Sequence, residues 1–120
     1  MSVVAVVGAS RKPERYSNRA LQMLASHGHS PVPVSKTGHA ILGYTGYASL
    51  TAVPGPIDTV TVYLSPEKQP PVIQDILAVR PRRVIFNPGA ENPQAAAVLV
   101  RHGIEVVEAC TLVLLATGQF

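Results

Sequence analysis

A single cysteine in 120 residues excludes an internal disulfide and suits a reducing compartment, so the expected location is the cytoplasm. Aromatic residues make up only 5% of the chain, and no helical stretch is markedly basic. Nucleic-acid recognition is therefore disfavoured, although ten lysines and arginines outnumber seven acidic residues for a net charge of +3. Apolar runs fall well short of the ~20 residues that cross a bilayer. The amino terminus enters a strand directly, with no basic leader, so neither membrane insertion nor secretion is expected. Low-complexity tracts are also missing. With 47% hydrophobic residues, the composition points to one folded domain over residues 1–120, long enough to bury a core.

Catalytic signatures are equally scarce. The chain shows no Ser–His–acid set, no paired carboxylates and no cluster of metal ligands. His27 and His29 share an H-x-H spacing but have no third ligand, and they are read as surface residues. Cys110 precedes a helix start, where the dipole would favour a thiolate. Its neighbour in sequence, His102, lies at the far end of the preceding helix with a strand between them. An inert buried thiol is the preferred reading. No catalytic or metal-binding residue is assigned, and an enzyme acting alone is not expected.

What the chain does have is a strong opening. Val3 to Val7 is an apolar, mostly β-branched run, a buried strand that ends at Gly8. Glycine there permits a positive φ or a close ligand approach. Ala9, Ser10, Arg11 and Lys12 then bring a hydroxyl and two cations to the start of the next helix, a setting that suits phosphate.

Helical spacing predicts a helix over 16–28, with Ser17 or Asn18 as N-cap and Gly28 closing it. Residues 31–34 form a second strand whose prolines are awkward in a central position. Residues 38–56 are irregular, with a helical turn near 49–53. A third strand covers 57–64. Pro70 and Pro71 open a helix that Arg80 and Pro81 stop. Strand four is 83–86, Asn92 and Pro93 cap a helix running to Gly103, strand five is 104–107, and a last helix begins at Cys110. The alternation implies an α/β, Rossmann-like, doubly wound fold, a five-stranded and mainly parallel sheet with helices on both faces. Such folds bind ligands at the carboxyl ends of their strands.

The dinucleotide fingerprint is incomplete: Ser10 stands where the second glycine of G-x-G-x-x-G belongs. The second strand exits into Ser35 and Lys36 rather than the acid that would hold an unmodified ribose. A cation there pairs with a ribose phosphate. Plain NAD is disfavoured, and NADP or coenzyme A fits better.

Several stretches carry a resemblance that separates these two. They are residues 6–13, 33–36, 41–43 and 47–50, then 87–93 and 105–111. Through them the sequence resembles the CoA-binding domain family, stand-alone Rossmann-like proteins similar to the N-terminal domain of the succinyl-CoA synthetase α subunit. The resemblance implies non-catalytic binding of coenzyme A or an acyl-CoA. It places Gly8, Ala9, Ser10, Arg11 and Lys12 at the phosphates and Lys36 beside the adenosine. Ser35 departs from the commoner Asn-Pro of that loop. Ser65 and Pro66 match the loop passing along the adenine or pantetheine, and Asn87, Pro88 and Gly89, in a further loop at the end of strand four, are also expected to contact the ligand. An NADP-binding module or reductase fragment is the alternative. A regulatory subunit with a vestigial pocket is a third reading, and the tyrosines and apolar last helix leave room for a homodimer or a protein partner.

Overall fold

Parallel strands buried on both faces need continuous apolar or β-branched runs, and β1 (Val3–Val7) meets that demand in the interior of the sheet. The computed structural model describes residues 2–120. Its five strands follow the order β2-β1-β3-β4-β5 and every pairing is parallel. The others are β2 (Ser30–Val34), β3 (Thr59–Val62), β4 (Arg83–Phe86) and β5 (Glu105–Glu108). β2 lies at one edge, where Pro31 and Pro33 interrupt no inner ladder.

Alternation along β1 divides the core. Val4 and Val6 pack with Leu21 and Leu24 of α1 (Tyr16–Ser26) and Leu115 of α4 (Thr111–Ala116). Ala5 and Val7 belong to the larger cluster with Ile73 and Ile76 of α2 (Pro70–Val79) and Leu99 of α3 (Pro93–Arg101). Each fully buried Leu, Ile or Phe contributes about 1.5–3 kcal/mol. The chain leaves β1 towards β2 on one face and later returns to β3 with the next helix on the other. This order puts a crevice at the carboxyl ends of β1 and β3.

Local departures from expectation have tertiary causes. α1 starts earlier than its cap chemistry suggests: Arg15 is the N-cap, with no side-chain cap bond, and both Ser17 and Asn18 are buried in the first turn. Asn18 Nδ2 instead donates to the Ser10 carbonyl at 2.9 Å and ties the helix to the β1 turn. β3 is shorter than 57–64, and β5 begins one residue late on an exposed edge. Asn92 caps α3 by accepting from the Ala95 amide at 3.1 Å, as expected. The irregular stretch folds back on the sheet: Tyr47 bridges Val34 in parallel, and Ile41 bridges Tyr44 across a tight turn. Gly46 permits this fold, since a Cβ there would collide with the His39 carbonyl. Among the described residues, no helix is long and apolar enough to cross a membrane.

Candidate functional site

The turn after β1 has an occupied half and an open half. Gly8 has φ +86°, and a Cβ on it would sit 3.2 Å from Leu64 Cδ2, so glycine is needed for both conformation and space. The Gly8 and Ala9 amides both donate to the Val34 carbonyl, at 3.0 and 3.2 Å. They bind the turn to β2 and are not available to a ligand. The Lys12 amide donates to Ser10 Oγ at 3.1 Å. By contrast, the Ser10 and Arg11 amides have no acceptor among the described residues.

Three hollows meet at Gly8–Ser10. The first, about 430 Å³, is lined by Ser10, Arg11, Lys12, Lys36, Thr37 and His39. Arg11 Nη1 lies 3.1 Å from His39 Nδ1, while Lys12 and Lys36 form no ion pair with any described residue. Ser35 is held by its backbone, its amide donating to the Tyr47 carbonyl at 3.1 Å. The second hollow, about 470 Å³, has apolar walls from Val34, Leu50, Leu64 and Val72, with Lys36, Lys68 and Asp75 also facing it. The third, about 590 Å³, is polar and is lined by Ser10, Glu14, Arg15, Arg19, Tyr63 and Pro88 among others. The Tyr63 hydroxyl is buried beside Thr61 and Thr111, whose hydroxyls lie 2.8 Å apart, and forms no hydrogen bond of good geometry with any described residue. Burial pushes its pKa up to about 12.

The later loops behave differently. Ser65 Oγ donates to Glu67 Oε1 at 2.8 Å and Pro66 starts a short 3₁₀ turn; neither faces the three hollows, although Leu64 and Lys68 on either side do. Asn87, 1% exposed, points inward. Its Nδ2 donates to Thr61 Oγ1 at 2.6 Å and the Val62 carbonyl at 2.9 Å, and its Oδ1 accepts from the Thr111 amide at 2.8 Å. The Gly89 amide donates to Glu91 Oε1 at 2.8 Å. Gln69, fully buried, donates to both the Leu64 and Ala90 carbonyls at 2.8 Å and accepts from Asn92 Nδ2 at 2.9 Å. The loop after β4 is thus stitched to the loop after β3, and of residues 87–89 only Pro88 faces one of the hollows.

Cys110 is half-buried as N-cap of the six-residue α4, at the carboxyl end of β5. His102 follows α3 at the opposite end of the sheet, its Nδ1 2.9 Å from the Val98 carbonyl. The two do not meet. His29 packs against the Phe120 ring at 5.0 Å and accepts from the Ser2 amide, and burial pulls its pKa down. Among the described residues, no group of three metal-ligating side chains forms. His39, Lys68 and Asp75 line the hollows without having stood out in the sequence. The stretch 47–50, part of which walls the second hollow, already carried the family resemblance without an assigned role.

A family model described as a CoA binding domain matches residues 2–116. Uncharacterized protein YneT of Bacillus subtilis (strain 168) is 31% identical over 104 residues, covering 87% of this chain and 77% of its own. Among solved structures, an uncharacterized protein is 40% identical with a TM-score of 0.93, over 100% of this chain and 98% of the other. A Thermus thermophilus protein is 28% identical with a TM-score of 0.89, over 99% and 90%. The dinucleotide forming acetyl-coenzyme A synthetase 1 of Ca. Korarchaeum cryptofilum, in complex with phosphate and ADP, is 25% identical with a TM-score of 0.74, over 90% of this chain and 25% of that longer one.

Proposed function

The chain belongs to the CoA-binding domain family, and we propose that it binds coenzyme A or an acyl-CoA along the carboxyl edge of its sheet without performing chemistry on it. The observation that carries this reading is the meeting of three differently built hollows at Gly8–Ser10, with unpaired cations around one of them. The ribose phosphate lies against Arg11, Lys12 and Lys36, where charge-assisted hydrogen bonds are strongest. The Ser10 and Arg11 amides, at the approach to α1, face the diphosphate. The apolar hollow takes the base, and the polar one takes the pantetheine arm as it passes Pro88. Gly8, Ala9 and Ser35 shape the groove through their backbones. Ser65, Pro66, Asn87 and Gly89 hold its far rim. The distance along the sheet between Cys110 and His102 supports binding rather than acyl transfer.

Isothermal titration with coenzyme A, dephospho-CoA and NADP tests the reading. Coenzyme A should bind tightest, and dephospho-CoA should bind measurably more weakly because it leaves the cationic hollow empty. A chain that binds none of them, or prefers NADP, overturns it. Incubation with acetyl-CoA should release no thiol beyond the protein-free control.

A further inference from the structure

The apolar hollow contains one group that phosphates would repel. Asp75 faces it, half-buried, and its carboxylate makes no hydrogen bond or ion pair with any described residue. It shares a face of α2 with Pro71 and Val72, four and three residues earlier, and the opposite walls are Val34, Leu50 and Leu64. Lys36 and Lys68 share the hollow but lie beyond ion-pair distance of Asp75, so a half-buried carboxylate is left to accept from an occupant that supplies a donor. α2 runs away from the carboxyl edge, so Asp75 lies roughly 6 Å deeper along the helix than Pro71 at ~1.5 Å per residue. Phosphates held at the mouth by Lys36 therefore stay clear of it.

We infer that Asp75 selects the base: its carboxylate accepts the exocyclic amino hydrogens of adenine. A purine with a carbonyl at that position sets acceptor against acceptor there, and its one ring donor, N1–H, lies a ring position away from the lost amino hydrogens. The inference rests on the coenzyme A reading, so its test must fail separately from that reading. Pantetheine also carries amide donors, and adenosine 3′,5′-bisphosphate, which lacks pantetheine, is the probe that removes them.

Titrations would compare adenosine and inosine 3′,5′-bisphosphates on the wild type, Asp75→Ala and Asp75→Asn. The wild type should prefer the adenosine compound about tenfold, the scale of one hydrogen bond to a charged acceptor. Asp75→Ala should abolish the preference by weakening the adenosine compound alone. Asp75→Asn, whose amide both donates and accepts, should bind the two about equally. Coenzyme A binding by the wild type with no base preference, or with a preference that survives in Asp75→Ala, overturns the inference and leaves the coenzyme reading standing. Failure of coenzyme A itself to bind overturns both.

Discussion

The two ends of the sheet treat their charges differently. At the amino end Arg82 is matched by acids, pairing with Asp58 at 3.0 Å and Glu105 at 3.4 Å. Arg83, 7% exposed, donates to Thr59 Oγ1 and the Phe120 carbonyl and stacks over the Phe120 ring at 4.4 Å. At the carboxyl end Lys12, Lys36 and Lys68 have no acidic partner among the described residues. Among the described residues Arg82 alone is paired with acids, and it lies where no ligand is proposed. What distinguishes the β1 turn is that Arg11, Lys12 and Lys36 gather around one hollow there, and this clustering says more about function than the net charge does.

Within the carboxyl end, the β1 turn with the β2 exit and the loop after β4 differ in the same sense, one open and the other internally bonded. The largest expected effect tests that difference. Asn87→Ala removes two donors and an acceptor from a buried network and leaves the Thr111 amide unsatisfied, so it should cost about 3 kcal/mol of stability. Urea unfolding would show this as a lower midpoint with an unchanged slope. The folded fraction should keep its affinity for coenzyme A. A loss of affinity beyond the loss of folded protein would put Asn87 in contact with ligand and break the contrast between the loops.

Lys36→Glu addresses the open side. Reversing a charge beside a phosphate should weaken coenzyme A by about 2 kcal/mol, roughly thirtyfold, with thermal stability nearly unchanged. Dephospho-CoA should lose much less. Equal losses for both ligands would remove Lys36 from the ribose phosphate.

Tyr63 lies between the two regimes, at the carboxyl end but buried like the network beneath it. Its hydroxyl lacks a partner, so Tyr63→Phe should be stabilising, by about 1 kcal/mol. The pH profile gives a second check. A folded-state pKa of about 12 against an ordinary value near 10 means the folded chain holds this proton longer than the unfolded one. Tyr63's contribution is then full below pH 10 and is lost as pH rises towards 12. The phenylalanine variant should lack that part of the alkaline decline, and a decline identical to the wild type's would contradict the burial of this group.

How much of this was legible in the sequence depends on how local each cause is. Val3–Val7, the Asn92–Pro93 cap and the Gly8 turn were legible because their signals lie within a few residues of one another. The α1 cap was misplaced because Asn18 answers to Ser10, eight residues back and across the turn. Lys36 could be placed from topology alone, since the exit of a second strand faces the first βα turn. Asp75 and Lys68 could not, because they reach the hollow only through the way α2 and its preceding turn pack beside β1 and β2. Asn-Pro-Gly at the end of β4 reads the same whether its amide faces outward or inward. Thr61, Val62 and Thr111, distant in sequence, direct it inward.

The smallest effect belongs to the amino end and gives its pairing a value. Arg82, by direct hydrogen bonding, holds the Asp58 carboxyl below its ordinary pKa, with help from Thr59. A depressed carboxyl pKa contributes stability that is complete above the unfolded value near 4 and disappears as pH falls through the folded value. Arg82 is more than half exposed, so solvent screens the pair. Asp58→Asn should therefore cost only about 0.5 kcal/mol at neutral pH. The gap between variant and wild type should shrink as the carboxylate protonates and again in high salt. Lys36→Glu should show the complementary pattern, with binding altered at neutral pH and stability scarcely changed. If Asp58→Asn instead lowered coenzyme A affinity, the ends would not be independent, and the unmatched cations beside the β1 turn would owe their availability to pairing at the other end of the strands.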